Sequence, residues 1–133
     1  MLRMATDQTA QRLEETLKAL ADPLRLRMLA LVAEHEICVC YLVEVLHTVQ
    51  PVVSRQLAYL RRAGLVESRR DGKWIHYRLH KPQNESAAAL LSEALRHLKR
   101  ARQTQADLAK LADCSQRRSG NLKDAPPPQR IKR

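Results

Sequence analysis

The sequence predicts a mainly α-helical domain with one small β-hairpin. Three observations carry this prediction. Leucines recur at helical spacing through most of the 133 residues, Asp22-Pro23 is a strong helix-start signal, and Asp71-Gly72 is a preferred two-residue hairpin loop. A chain of this length is enough for one domain with one core, which we expect to cover residues 1–113.

The first two predicted helices lead into the most unusual motif of the chain. Leucine spacing predicts a first helix over about residues 8–20. Asp22 can cap a second helix and Pro23 can occupy its first position, and apolar spacing carries this helix to about residue 34. A Cys-x-Cys pair follows directly, in Glu36-Ile37-Cys38-Val39-Cys40.

Two further helices are joined by a very short turn. Apolar residues predict a short third helix over about residues 42–46, and Pro51 can open a fourth. The buried stripe of the fourth helix is Val53, Leu57 and Leu60. Gly64 can end that helix, because glycine tolerates the left-handed conformation. Residues 40–63 are therefore predicted to form a helix-turn-helix.

A hairpin and a long helix complete the domain. Residues 65–70 and 73–79 flank the predicted loop, and in the second run Trp74, His76 and Arg78 alternate with apolar residues. A hairpin directly after a helix-turn-helix is the winged-helix arrangement. With a final helix over roughly residues 84–112, the predicted order is α-α-α-α-β-β-α.

The final helix presents more apolar surface than its own chain has core to cover. We therefore expect a homodimer whose interface also includes the first helix; the alternative is a helix packed only on its own domain. Residues 114–133 contain three consecutive prolines, six basic residues and few apolar ones, so we expect a disordered basic tail.

The net charge of +10 is concentrated in two blocks. Residues 50–81 hold eight Lys/Arg against two Asp/Glu, and the tail holds six against one. A basic block inside a folded region predicts a polyanionic partner, most often nucleic acid, the alternative being a solvated surface. Since the sequence has no 18-residue apolar run and no signal peptide, we expect no membrane contact and a cytoplasmic location, where thiols stay reduced.

The start of the fourth helix is the predicted DNA-binding element. A recognition helix offers its N-terminal side chains to base edges, where Arg suits guanine, Gln suits adenine and Val suits the thymine methyl group. The residues predicted to face bases are Gln50, Val52, Ser54, Arg55 and Gln56. The residues predicted to face phosphates are Arg61 and Arg62 at the helix end and Arg69, Arg70 and Lys73 at the hairpin.

Several segments together resemble the ArsR/SmtB family of metal-responsive winged-helix repressors. They are Leu20-Ala21-Asp22-Pro23-Leu24-Arg25, Glu36-Ile37-Cys38-Val39-Cys40-Tyr41-Leu42, Val53-Ser54-Arg55-Gln56-Leu57, Ala63-Gly64-Leu65-Val66 and Gly72-Lys73-Trp74-Ile75-His76-Tyr77-Arg78-Leu79. The resemblance implies a homodimer that represses its operator DNA when metal-free and releases it when metal binds. It also matches Cys38 and Cys40 to the paired cysteines of arsenic and cadmium/lead sensors.

The chain departs from the family pattern at three positions. Tyr41 stands where Asp usually follows the second cysteine, and Val43 stands where arsenic sensors often have a third cysteine. Gln56 replaces a common histidine in the recognition helix.

Cys38 and Cys40 are the candidate ligands for As(III) or Sb(III), with Cd(II) or Pb(II) as alternatives, because soft ions prefer thiolates. Residues two apart point about 200° from each other on an ideal helix and the same way in a strand. Joint ligation therefore requires an extended segment or a distorted helix end. Cys114 can complete a three-sulfur site from its own chain or a partner's; otherwise it is a tail thiol without a role.

Other roles for the cysteines stay open. They can be small buried apolar residues, or they can form a redox or sulfur sensor through a disulfide of Cys38 with Cys40 or Cys114. An architectural DNA-binding protein with idle cysteines is a further alternative. A zinc or nickel site would use Glu93 and His97, but no second pair accompanies them. No enzyme is expected, since the sequence has neither a Cys-x-x-Cys motif nor a Gly-rich phosphate loop.

Overall fold

The computed structural model describes residues 8–131, which form six helices and a small antiparallel sheet. The helices are α1 (Gln8–Leu20), α2 (Pro23–Glu34), α3 (Val39–Leu46), α4 (Gln50–Arg62), α5 (Glu85–Leu98) and α6 (Arg102–Arg117), followed by a 3-10 turn at Gly120–Leu122. The strands are β1 (His35–Cys38), β2 (Val66–Asp71), β3 (Trp74–Leu79) and β4 (Gln129–Arg130), in the spatial order β2-β3-β1-β4.

The start of α2 forms as the sequence predicts. Asp22 has an extended backbone, and its side chain accepts a hydrogen bond from the backbone N–H of Arg25 at 3.0 Å. Pro23 occupies the first helical position, where a backbone N–H would have no partner within the helix. This cap starts α2 at a defined residue and so sets where its buried C-terminal half meets the core.

The predicted helix-turn-helix is confirmed by α3 and α4. Residue His47 ends α3 in the left-handed conformation (φ 53°), and only residues 47–49 separate the two helices. The buried residues of α4 are the predicted ones, Val53, Leu57 and Leu60. Gly64 follows α4 with φ 79°, a conformation that suits glycine.

The predicted hairpin is confirmed by β2 and β3, which pair with Arg69 opposite His76 and turn at Gly72 (φ 61°). The sheet, however, has a third member at its centre that the sequence analysis did not foresee. Strand β1 pairs with β3 in the register Cys38 to His76 and Ile37 to Tyr77. The segment that carries the first cysteine is therefore hydrogen-bonded to the wing.

One core joins α2, α3, α4 and the sheet. Its largest fully buried side chains include Met28, Leu29, Leu31, Ile37, Tyr41, Leu42, Leu57 and Leu60. Because α3 contributes both Tyr41 and Leu42 to this core, the start of α3 cannot move without repacking its neighbours.

The prediction of one long C-terminal helix was wrong. Helix α5 ends at Leu98, and α6 begins at Arg102 and packs against α2 and α3. Arg27 of α2 makes two 3.0 Å contacts with the carboxylate of Asp107, which is almost fully buried. The non-helical residues 99–101 separate the two helices and allow α6 to pack on α2 and α3.

The segment after residue 113 also differs from the expected disorder. Helix α6 continues to Arg117, and both Leu122 and Ala125 are buried in the core. Strand β4 then pairs with the free edge of β1, and the backbone N–H of Ile131 donates to the carbonyl of Glu34 at 3.0 Å. Two apolar side chains and one strand edge are thus enough to hold a largely polar segment in place. The domain boundary proposed at residue 113 stays a prediction.

Candidate thiol site and nucleic-acid interface

The structure brings the two cysteines of the Cys-x-Cys motif together. Cys38 is the last residue of β1 and Cys40 lies in the first turn of α3, with their Sγ atoms 2.9 Å apart. Both are free thiols; Cys38 is 2% exposed and Cys40 is half-buried. Cys38 has an extended backbone (φ −69°, ψ 146°), so the motif spans a strand end and a helix start. This is the kind of geometry that joint ligation was predicted to require.

The pair is electrostatically asymmetric. The hydrogen bond between the Cys40 and Cys38 sulfurs, in which either thiol can be the donor, lowers the pKa of Cys38 to about 7 although burial opposes the shift. Backbone N–H groups of Val39, Cys40 and Ile75 add to this stabilisation of the thiolate. The pKa of Cys40 is raised, because its proton is held between the two sulfurs and a second negative charge would be buried there. The pair is thus partly deprotonated near neutral pH, and thiolates are the form that binds metals.

Cys114 lies apart from this pair in the same chain. It is half-buried on α6, which packs against α3, and burial raises the pKa of its thiol. Glu44 of α3 is close enough to add to that shift. Across residues 8–131, no three His, Cys, Asp or Glu side chains are grouped as a metal site. The role of Cys114 as a third ligand therefore stays a prediction.

Two of the three positions that depart from the family pattern, Tyr41 and Val43, belong to the core. Tyr41 is fully buried, and its hydroxyl has no hydrogen-bond partner of sound geometry among the described residues, although the Arg118 side chain lies beside it. Val43 is half-buried and packs against the same core. Neither side chain supplies a sulfur or carboxylate ligand, so the local donor set is the two thiols.

A second link joins the thiol strand to the wing. The guanidinium of Arg69 on β2 contacts the carboxylate of Glu36 on β1, at 2.6 Å and 3.4 Å. Arg69 lies opposite His76, which lies opposite Cys38, so the link crosses three strands beside the first cysteine. The Glu36 side chain is 13% exposed, and its pKa is lowered chiefly by the hydrogen bond from Arg69.

Most of the predicted DNA-binding residues are exposed on the surface of α4 and the wing. The exposed members are Gln50, Ser54, Arg55, Arg61, Arg62, Arg69, Arg70 and Lys73. Val52 and Gln56 are half-buried. Arg55 and Arg62 make no ion pair or side-chain hydrogen bond within residues 8–131, so both are available to a polyanion.

The other basic residues of this surface have local partners. Arg61 donates to the Ser68 hydroxyl at 3.3 Å, and Arg70 donates to the Gly72 carbonyl at 3.2 Å. Lys73 lies over the Trp74 ring, 5.0 Å from its centroid. These contacts are exposed and weak, so they orient the side chains at the hairpin without removing them from solvent.

Arg25 on α2 links the end of α1 to α4, and no pattern in the sequence predicted this contact. Arg25 donates to the backbone carbonyls of Lys18 and Ala19 at the end of α1, at 2.9 Å and 2.8 Å. It also donates to the Gln56 side-chain oxygen at 2.9 Å and lies over the Tyr59 ring at 4.1 Å. Gln56 is thus engaged with α2 rather than presented to solvent. Arg25 stands three residues after the Asp22 cap, but no local pattern announces a contact with α4.

This arrangement of helix-turn-helix and hairpin defines a winged-helix DNA-binding protein. Residues 22–68 match the model of the arsR family of bacterial regulatory proteins. The arsenical resistance operon repressor of Escherichia coli is 46% identical over 80 residues, which cover 59% of this chain and 68% of that protein. The biofilm growth-associated repressor of Agrobacterium fabrum is 42% identical over 91 residues, 68% of this chain and 74% of that protein. The chain belongs to the ArsR family.

Other relatives extend the comparison. The arsenic resistance transcriptional regulator ArsR1 of Pseudomonas putida is 53% identical over 64 residues, which are 47% of this chain and half of that protein. Among solved structures, the transcriptional repressor BigR of Xylella fastidiosa has a TM-score of 0.59 at 34% identity, covering 71% of this chain and 91% of that one. Reduced HlyU from Vibrio cholerae has the same TM-score at 28% identity, covering 70% and 95%.

These relatives are DNA-binding transcriptional regulators, and the fold is theirs rather than that of an enzyme, as the sequence predicts. Among the helices of residues 8–131, none has the length and apolar character needed to cross a bilayer.

Proposed function

We propose that this chain is a cytoplasmic, metalloid-responsive transcriptional repressor. As a homodimer without ligand it binds operator DNA through α4 and the wing. Binding of As(III) or Sb(III) by the thiolates of Cys38 and Cys40 favours release. Relatives whose names refer to arsenic resistance support this choice of ligand over Cd(II) or Pb(II), and a soft donor set of two thiols fits all four ions.

The observation that carries the proposal is the 2.9 Å approach of the two Sγ atoms at the β1–α3 junction. Because the fold holds the two sulfurs this close, both can be presented to one ion. A partly deprotonated Cys38 near neutral pH also reduces the proton release that ligation requires.

The β1–α3 junction lies at a position from which binding of an ion by the thiols can influence DNA binding. Cys38 ends a strand of the wing sheet, while Cys40 starts the first helix of the helix-turn-helix. A change of conformation there would act on the wing through β1 and on α4 through α3. The ligand shifts the population between DNA-binding and released states only to the extent that the thiols bind it better in the released one.

A third sulfur would complete the trigonal set that arsenic commonly takes. Cys114 is the remaining thiol, and α6 packs on the helix that carries Cys40. We assign Cys114 this role, from either the same chain or the partner.

The test is a release titration followed by fluorescence anisotropy. A labelled duplex selected from a random library by the full chain is titrated with arsenite, antimonite, cadmium, lead and zinc. We expect release by arsenite and antimonite, and loss of that release in Cys38→Ser and Cys40→Ser while DNA affinity is retained. Normal release by both single variants would refute the thiol assignment. Cys114→Ser decides the third ligand, and light scattering of the free protein tests the homodimer.

A second candidate function is a thiol redox sensor of the same fold. The short Sγ–Sγ distance and the lowered pKa of Cys38 also suit oxidation. With hydrogen peroxide as oxidant, the two thiols give one disulfide and two water molecules. Mass spectrometry of the peroxide-treated, DNA-free protein distinguishes the two candidate functions. A mass loss of two hydrogen atoms, together with release of DNA from the complex after the same treatment, supports redox sensing.

A further inference from the structure

Val49, the residue before the first turn of α4, does not follow the residue preference of a helix N-cap. Val49 is the N-cap of α4, with an extended backbone (φ −67°, ψ 150°) and no side-chain hydrogen bond to the helix. It is 65% exposed, the most exposed of the large hydrophobic side chains in residues 8–131. Valine is poorly suited to this position, because its side chain cannot cap the helix and because an apolar side chain is exposed there to solvent.

The stability of the fold does not explain this valine. Ser, Thr, Asp or Asn at an N-cap would accept a hydrogen bond from a free backbone N–H of the first turn, which valine cannot do. The exposed methyl groups also gain little from burial in the free protein. Positions that break a local rule without a compensating contact are often functional sites.

The surroundings of Val49 indicate what its methyl groups would meet. Gln50, the next residue in the chain, and Arg55, further along α4, are exposed, and Arg55 makes no ion pair or side-chain hydrogen bond within residues 8–131. Of the three exposed large hydrophobic residues within residues 8–131, Val49 and Ile75 lie in the helix-turn-helix and the wing, while Leu17 lies on α1. The N-terminal end of a recognition helix is the part that enters the major groove.

We propose that Val49 is a specificity-determining residue that contacts the C5-methyl group of a thymine in the operator major groove. This methyl group is the only apolar feature that the base edges present there, and valine has no hydrogen-bonding side chain for the others. The inference rests on the proposed function, because it requires that α4 binds operator DNA.

The experiment removes the methyl group from the DNA. Each thymine of a duplex selected from a random library by the full chain is replaced, one at a time, by deoxyuridine, and affinity is measured by anisotropy. We expect one thymine per half-site at which the replacement weakens wild-type binding by about fourfold, the value for one buried methyl-sized group. Val49→Ser should bind the two duplexes equally.

The stability of Val49→Ser provides an independent readout. Because serine can cap α4, its thermal midpoint should be equal to or above that of the wild type, whereas a structural valine would give a lower midpoint. Asn121→Ser, a substitution of an exposed residue in the 3-10 turn at Gly120–Leu122, should retain the wild-type preference for thymine over deoxyuridine.

Two results would overturn the inference, and they differ in what else they overturn. If the chain selects a sequence but Val49→Ser leaves every thymine effect unchanged, only the role of Val49 is wrong. If the library yields no preferred sequence, the proposed function fails and the inference fails with it.

Discussion

The thiol junction, residues 36–40, and the proposed DNA-binding surface of α4 and the wing adjoin each other in the fold but differ in burial and in how their side chains are paired. At the junction Cys38 is 2% exposed, and its thiol is already in contact with that of Cys40. On the DNA-binding surface Arg55 and Arg62 are exposed and have no ion-pair partner within residues 8–131. Burial and prior arrangement suit the selection of a soft ion, whereas free exposed charge suits a polyanion.

The two regions also differ in what encloses them. Strand β4 covers one edge of β1, and α6 packs on α3, so the C-terminal segment surrounds the junction. The exposed face of α4 has no such cover. Substitutions that weaken the packing of the C-terminal segment should therefore perturb the thiol junction before they perturb the exposed face of α4.

The largest expected effect is on stability. Asp107→Ala removes the buried carboxylate that holds α6 to Arg27 and leaves the guanidinium without its partner. We expect unfolding in urea to show a loss of about 3 kcal/mol, the lower end for a broken buried pair because Arg27 is partly exposed. Asp113→Ala breaks an exposed pair with Arg117 on the same helix and should cost less than about 1 kcal/mol. Equal losses in the free energy of unfolding of both variants would contradict the inference that the packing of α6 encloses the thiol junction.

The next effect is on operator affinity. Arg55→Ala should weaken binding to a selected duplex by about 1–3 kcal/mol and weaken binding to random DNA much less, because we propose that the exposed Arg55 side chain contacts a base. Arg62→Ala, at the far end of α4, should weaken both alike and lower the salt dependence by about one charge. If Arg55→Ala behaves like Arg62→Ala at fixed salt, Arg55 contacts phosphate.

A third effect concerns the titration of the buried thiols. With a pKa of about 7, the Cys38 thiolate, followed by ultraviolet absorbance in a Cys114→Ser background, should increase about tenfold between pH 6 and pH 8. Cys40→Ala removes the thiol that hydrogen-bonds with Cys38, so the midpoint should rise toward the ordinary cysteine range. The same midpoint in both proteins would mean that the two sulfurs do not share a proton.

The smallest expected effect tests the link between the two regions. Glu36→Gln breaks the pair with Arg69 and frees that guanidinium for phosphate. DNA affinity without ligand should rise a few-fold, about 1 kcal/mol or less, while arsenite should release the DNA less completely. Glu67→Gln breaks an exposed pair with Arg78 in the same hairpin and is the matched control. A weaker release in both variants alike would show that general charge, not the link to β1, is responsible.

Short sequence patterns correctly predicted the elements that depend on interactions between neighbouring residues in the chain. The Asp22 cap, the short turn before α4, the glycine at position 64 and the hairpin loop at Gly72 each depend on a few adjacent residues, and each is present in the structure. Strand β1 was missed because its four residues are too short to show a period. The break before α6 and the packing of Leu122 were missed because they depend on distant partners.

The sequence by itself determined the helix-turn-helix, the wing and the presence of two thiols at the entrance to α3, since spacing, caps and turn residues act over a few positions. The tertiary structure decided that the Sγ atoms of Cys38 and Cys40 converge, that Glu36 contacts Arg69, and that the C-terminal segment covers β1. Each of these depends on how a strand end, a helix start and distant segments pack in three dimensions. Such packing is not encoded in any short stretch of residues.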